Sequence, residues 1–302
     1  MKIVIAGATG FIGRQLTASL LVKGSAVVVL TRNPGGTQTT HPALKYALWD
    51  GEGAGSWHQH LDGADAVINL SGQSIGARRW TAHRKQQLQA SRVHSTNALV
   101  EAMKSSRTRP SVFLNASAVG YYGNVETEDV TEDHPAGTDF LGKLCSNWES
   151  AALAAAYLGV RVVLLRSGIV LDPNRGALRR MLLPYRLFIG GPLGSGQQWL
   201  PWIHREDEVQ AILFALDREQ ISGPVNLAAP EPVTMLGFSR ALGKALHRPS
   251  AFTVPPFVLR TVLGEMADMV LTGQRVIPKN LLEAGFEFRF PALDGALADL
   301  FR

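Results

Sequence analysis

The chain has 302 residues, 46% of them apolar, and a formal net charge of +5, enough for a real core in one large or two small domains. Its single cysteine, Cys145, excludes an internal disulfide and a cysteine-based metal cluster, and no His/Glu pair has metalloprotease spacing, so no metal is expected. Basic residues are scattered apart from short clusters such as Arg78-Arg79 and Arg179-Arg180, which argues against nucleic acid. No apolar run nears the roughly 20 residues of a membrane span, and the glycine-broken N-terminus does not read as a signal peptide. The expectation is a cytoplasmic protein with neither nucleic acid nor membrane as partner.

An apolar run from Lys2 feeds Gly7, Gly10 and Gly13, and a helical pattern follows from Arg14. A strand turning sharply into a helix aims the helix N-terminus, with its unpaired N–H groups and partial positive charge, at whatever lies above the turn. That arrangement suits a pyrophosphate, and Gly lets the ligand approach the backbone. Gly7, Thr9, Gly10, Phe11, Ile12 and Gly13 are therefore the candidate dinucleotide cradle.

The helix runs over about 13–23 to Gly24, and 27–30 is a second strand. NAD sites place an acid roughly 20 residues beyond the glycines, where it binds the ribose 2′-OH. Here the strand ends in Thr31-Arg32-Asn33-Pro34, and Arg32 offers a guanidinium to a 2′-phosphate instead, so NADP(H) is the expected cofactor. A buried strand over 66–70 runs into Asn69-Leu70-Ser71-Gly72, small residues that let the chain pass close to the cofactor ribose; Ser71 suits a cap as well.

A long helix over 82–104, a strand at 112–115, an Ala-rich helix over 143–158 stopped by Gly159, and a strand at 162–165 complete the alternation. This reads as an α/β Rossmann fold, a doubly wound parallel sheet with helices on both faces. Residues 171–204 look loop-rich, with glycines over 190–196; a helix at 206–217 and a strand at 225–227 return to the sheet. Short helices broken by Pro249, Pro255-Pro256 and Pro278 follow over 231–302. The expected division is a nucleotide-binding domain of 1–170 plus 205–230, and a smaller, mostly helical cap from 171–204 and 231–302.

Gly7-x-x-Gly10-x-x-Gly13, Asn69-Leu70-Ser71-Gly72 and Ser117-Ala118-Val119-Gly120-Tyr121-Tyr122-Gly123 resemble the extended short-chain dehydrogenase/reductase superfamily. More narrowly, Arg78-Arg79-Trp80, Ser91-Arg92, the 190–196 glycines, Trp202-Ile203-His204 and Gly273-Gln274-Arg275 resemble the atypical YfcH-type epimerase-like family. The resemblance implies a Rossmann fold, a nicotinamide cofactor and chemistry with Ser, Tyr and Lys, the last two as Tyr-x-x-x-Lys. In such a set the phenolate exchanges the substrate hydroxyl proton and the ammonium lowers the phenol pKa.

Ser117 stands where the family serine should. With Glu149 aligned to the acid that often follows the motif, Leu141 occupies the Tyr position and Cys145 the Lys position, so Tyr-x-x-x-Lys is absent. Tyr121 or Tyr122 can supply the phenol, with Lys143 to tune it, although both tyrosines suit aromatic packing equally. Other readings draw the proton from water or His204, or leave NADPH bound without turnover. The 190–196 glycines suit a lid, a phosphate nest or a flexible connector. Two function classes stay open. One is an oxidoreductase or nucleotide-sugar epimerase-like enzyme with a small, anionic or nucleotide-linked substrate; the other is a non-catalytic NADPH-binding sensor or scaffold. A homodimer is the assembly held open.

Overall fold

The computed structural model describes residues 1–36, 41–53 and 55–302. In chain order the first part contains β1 Lys2–Ala6, α1 Phe11–Val22, β2 Ala26–Thr31, β3 Leu44–Leu48, β4 Ala66–Asn69, α2 Ala82–Ser105, β5 Val112–Ala118, β6 Val125–Val130, α3 Phe140–Leu153 and β7 Arg161–Ser167. The rest contains β8 Ile169–Leu171, α4 Gly176–Arg186, β9 Trp199–Leu200, β10 Trp202–His204, α5 Arg205–Asp217, β11 Gly223–Leu227, β12 Val233–Thr234, α6 Met235–Leu246, α7 Pro256–Leu263, α8 Asp268–Leu271, β13 Gln274–Val276, α9 Lys279–Glu283 and α10 Leu293–Leu300.

Seven strands form one parallel sheet in the order β11-β7-β5-β4-β1-β2-β3. The order reverses between β1 and β4, the switch point at which such sheets bind nucleotides. Side chains alternate across each strand. Ile3, Ile5, Val27 and Val29 face a core completed by α1 and α5, while Val4, Ala6, Val28 and Leu30 face one completed by α2 and α3. Both faces are covered, which is why these strands read as unbroken apolar runs. Burying each such side chain stabilises the fold by about 1.5–3 kcal/mol.

A third core lies among α4, α6, α10 and the 200–202 segment. Leu178, Leu182 and Tyr185 of α4 meet Trp202, Phe238, Leu242 and Leu297. The loop-rich reading of 171–204 misses α4, because Pro184 and three arginines obscure an apolar face of only three buried residues. Sequence reading also omits β3, whose alternate residues are half-exposed at the sheet edge. The 190–196 glycines bond through their backbone to the 252–254 segment, Phe252 N–H to Gly190 O at 3.1 Å and Gly194 N–H to Val254 O at 2.9 Å.

His204 caps α5, its Nδ1 accepting the Glu206 N–H at 3.2 Å. Because Nδ1 accepts, a neutral ring carries its proton on Nε2, which faces Asp299 Oδ2 at 3.4 Å. The ring packs on Phe290 and is fully buried; that burial pushes its pKa down to about 4. Asp207 accepts the N–H groups of Arg289 and Phe290, each at 2.9 Å, and ties that stretch to α5.

Candidate functional site

The strand register brings the expected cofactor residues to one edge. Ala6 lies opposite Leu30 on one side and Asn69 on the other, so Gly7, Thr31-Arg32 and Leu70 all emerge at the carboxyl end of the sheet. Gly7 has φ +79, and a Cβ there would sit 2.5 Å from the Leu70 carbonyl carbon. A Cβ on Gly13 would sit 2.5 Å from Ala8 Cα. Both positions exclude any side chain, which lets α1 start close against the turn. Gly10 precedes α1 without a side-chain cap, so the first-turn N–H groups stay available to an anion. Thr9 and Gly10 are exposed, and Phe11 and Ile12 are half-buried. Arg32 is exposed, and among the described residues no acid pairs with it.

The end of β4 is fixed by a buried amide. Asn69 Nδ2 donates to Asn115 Oδ1 at 2.8 Å and to Thr96 Oγ1 at 3.0 Å. Asn69 Oδ1 accepts from both the N–H and the hydroxyl of Ser71, and that hydroxyl also reaches Ser95 at 3.0 Å. Ser71 therefore holds its own loop in place, while Thr81 caps α2. Beside Gly72, Arg92 donates to the carbonyls of Leu88 and Gln73, each at 3.1 Å, and stacks on Trp148. Burial lowers its proton affinity. Among the described residues no carboxylate pairs with it, which leaves a partly desolvated cation at the strand ends.

Leu141, Cys145 and Glu149 recur every four residues on α3, so they share one face, and that face meets the end of β5. Leu141 packs on Gly120, within 3.4 Å of where a Cβ would stand. Burial, then the charge of Glu149, pushes the Cys145 thiol up to about 12. Ser117 donates to Glu149 Oε1 at 2.6 Å. Glu149 also takes both arms of Arg166, Nε to Oε1 and Nη2 to Oε2 at 2.9 Å each. Burial opposes the Arg166 charge, but the bonds to Glu149 outweigh it and hold the guanidinium above its ordinary proton affinity. Arg166 Nη1 donates to the Tyr122 hydroxyl at 3.0 Å and to Glu132 O at 3.1 Å. That hydroxyl donates to Asn226 Oδ1 at 2.6 Å, and burial pushes its pKa up to about 12. Glu132 Oε1 accepts the backbone N–H of Asn226 at 3.0 Å and of Asn280 at 3.2 Å.

Three of the four expected catalytic residues thus converge. Ser117 and Tyr122 are buried with their hydroxyls engaged. Tyr121 is half-buried, its ring 3.5 Å from the Arg166 guanidinium carbon and edge-on to Tyr122; among the described residues its hydroxyl has no partner. The structure does not bring Lys143 into this group, because two residues beyond Leu141 the helix turns it onto the exposed face of α3. Sequence reading missed Arg166, Asn226 and Glu132. The available signal was an arginine ending the otherwise apolar run of β7.

The cap closes against the 73–85 segment. Arg180 of α4 donates to Gly76 O, Arg79 reaches Thr261 O at 3.3 Å, Lys85 pairs with Glu265, and Trp80 packs on Phe140. Of Arg78-Arg79-Trp80, Arg79 therefore reaches across to the later part of the chain, while Trp80 packs within 1–170. Among the described residues no helix is long and apolar enough to cross a membrane, and no three side chains form a metal cluster.

Comparison with known proteins agrees with this architecture. The model of the NAD dependent epimerase/dehydratase family matches residues 3–228, and that of a domain of unknown function, DUF1731, matches 254–300. Epimerase family protein ML0860 of Mycobacterium leprae is 41% identical over 298 residues, 98% of this chain and 94% of its own. The chloroplastic SDR39U1 homolog of Arabidopsis thaliana is 40% identical, over 98% of this chain and 86% of its own. The crystal structure of human epimerase family protein SDR39U1 with NADPH superimposes with a TM-score of 0.89 at 34% identity, covering 100% of this chain and 99% of that one. With the sheet order, the glycine turn and the whole-length similarity in agreement, the chain belongs to the NAD dependent epimerase/dehydratase family of the short-chain dehydrogenase/reductase superfamily.

Proposed function

We propose that this protein is an NADP(H)-dependent oxidoreductase or epimerase-like enzyme acting on a small anionic or nucleotide-linked substrate. The observation that carries the reading is the side-chain-free cradle at Gly7 and Gly13 lying beside an unpaired Arg32. Gly7, Thr9, Gly10, Phe11, Ile12 and Gly13 would hold the pyrophosphate, Thr31 and Arg32 the 2′-phosphate, and Asn69, Leu70, Ser71 and Gly72 the ribose. The bound cofactor would give or take a hydride. The human relative crystallised with NADPH supports the choice of phosphorylated cofactor.

The chain's own residues then divide the proton chemistry. Ser117 donates its hydroxyl hydrogen bond to Glu149, so its oxygen offers lone pairs to a substrate hydroxyl. Tyr121 Oη exchanges the proton, because among the described residues its hydroxyl has no partner while that of Tyr122 is engaged. Tyr122 and Arg166 position it, one by ring contact and the other by stacking. Lys143 stands apart from this set. The cation at Arg92 supplies the preference for an anion. In this division 1–170 with 205–230 serve the nucleotide, and 171–204 with 231–302 serve the substrate.

Leu141 packed on Gly120 favours a second reading, a protein that binds NADPH without turnover, because an apolar side chain stands where the resemblance implies a tyrosine. Titration with NADPH and NADH tests the cofactor: NADPH should bind tighter by about 10- to 100-fold, the range of charge-assisted hydrogen bonds, and equal affinities would overturn the assignment of Arg32. A screen of sugar nucleotides and small oxoacids, following NADPH absorbance, tests turnover. Tyr121→Phe should abolish any activity found while leaving NADPH affinity intact; unchanged turnover would remove Tyr121 from the chemistry.

A further inference from the structure

Charge is distributed unevenly along this chain. Residues 173–205 and 232–264, which build much of the cap, hold nine of the 30 basic residues and none of the 25 acidic ones; elsewhere 21 basic residues face 25 acidic ones. A modest net charge therefore hides two basic stretches that carry no acid of their own.

The same cap exposes apolar side chains. The outer face of α4 carries Arg179, Leu183, Arg186 and Leu187. Just beyond it Phe188 takes φ +62, a left-handed conformation unfavourable for a bulky residue. Leu183, Leu187, Phe188 and Ile189 are each more than half exposed. Phe252 joins them, since its N–H bonds to Gly190 O, and it too is more than half exposed. Arg248 lies over the Phe188 ring, 4.4 Å from its centroid. Isolated exposed apolar residues need no explanation, but a contiguous set held out by a strained backbone does.

We propose that this face docks the protein onto an anionic lipid surface. An amphipathic helix with arginines beside Leu, Phe and Ile suits the headgroup boundary: the apolar side chains enter the acyl region and the guanidinium groups stay at the phosphates. Nucleic acid would use the arginines and leave the apolar set in water. A second copy of this chain would set basic face against basic face, which charge disfavours. The contact is peripheral and differs from the membrane-spanning helix that sequence length excludes.

Co-flotation of the full-length protein with vesicles tests the proposal. It should bind phosphatidylcholine–phosphatidylglycerol vesicles, release at high salt, and ignore pure phosphatidylcholine. Arg186→Gln with Arg248→Gln should weaken binding by roughly tenfold or more, given the contribution of each basic residue near an anionic leaflet. Phe188→Ser with Ile189→Ser should also abolish it. Both pairs lie on the surface, away from the glycine cradle, so unchanged NADPH affinity certifies their fold. Absence of flotation, equal binding to neutral vesicles, or indifference to both variants would overturn the proposal. So would light scattering that shows a dimer dissolved by Phe188→Ser, or capture by an acidic polypeptide without capture by vesicles.

Discussion

The two halves of the site are built on different principles. The glycine turn is local: Gly7, Gly10 and Gly13 lie within one strand–turn–helix, and their function follows from the absence of side chains. The Glu149–Arg166 centre is assembled from distant segments, with Ser117, Tyr122, Glu132, Glu149, Arg166 and Asn226 drawn from five stretches of chain. The first tolerates no added atom; the second tolerates no missing partner. The turn has the expected glycines, while the centre has Leu141 and Cys145 where the resemblance implies Tyr and Lys.

The largest effects should come from breaking each half in its own way. Gly7→Ala places a Cβ 2.5 Å from the Leu70 carbonyl carbon in a left-handed backbone. It should abolish NADPH binding or the fold itself, measured by thermal melting with and without cofactor. Glu149→Ala strands the Arg166 charge in the core and should cost about 3–5 kcal/mol in denaturant unfolding; a loss below about 1 kcal/mol would show that the pair is dispensable. Tyr122→Phe leaves Asn226 Oδ1 and an arm of Arg166 short of a partner, for about 1–3 kcal/mol. Tyr121→Phe should leave stability unchanged within about 0.5 kcal/mol. Equal losses at the two tyrosines would erase the distinction drawn between them.

A smaller effect separates the centre from a neighbouring carboxyl. Glu208 is fully buried, accepts the Ser167 hydroxyl at 2.6 Å, and is pushed up to about 8 by burial. A carboxyl whose pKa is raised on folding holds its proton more tightly in the native state. Its contribution is therefore complete below the ordinary value of 4.5 and is lost as pH rises through about 8. Glu208→Gln should remove that decline, read as a flatter profile of melting temperature between pH 5 and 8 in buffers of matched ionic strength.

The sheet and cofactor edge were legible because their signals are short-range. Apolar runs, glycine spacing and the residue after a strand all act within about a dozen positions, and 26–31, 82–105 and 161–167 come close to the expected bounds. The Glu149–Arg166 centre was legible only in part. The four-residue spacing of Leu141, Cys145 and Glu149 marks one helical face, but nothing near Arg166 says that its partner lies 17 residues earlier or that Asn226 closes the set. Helix α4 was hidden for another reason: Leu178, Leu182 and Tyr185, its three buried residues, stand among arginines and beside Pro184, so its apolar face is short and interrupted.

Glu132 has a consequence for how the molecule comes apart. Its carboxylate accepts N–H groups from Asn226 and Asn280, one inside the epimerase-family match and the other inside the DUF1731 match. Severing the chain between those matches and removing the C-terminal piece would leave a buried acid with half its donors and expose the sheet edge beside β11. The boundary visible in the family models is therefore not a mechanical seam. The C-terminal segment acts as a keystone, set last and bearing on everything laid before it.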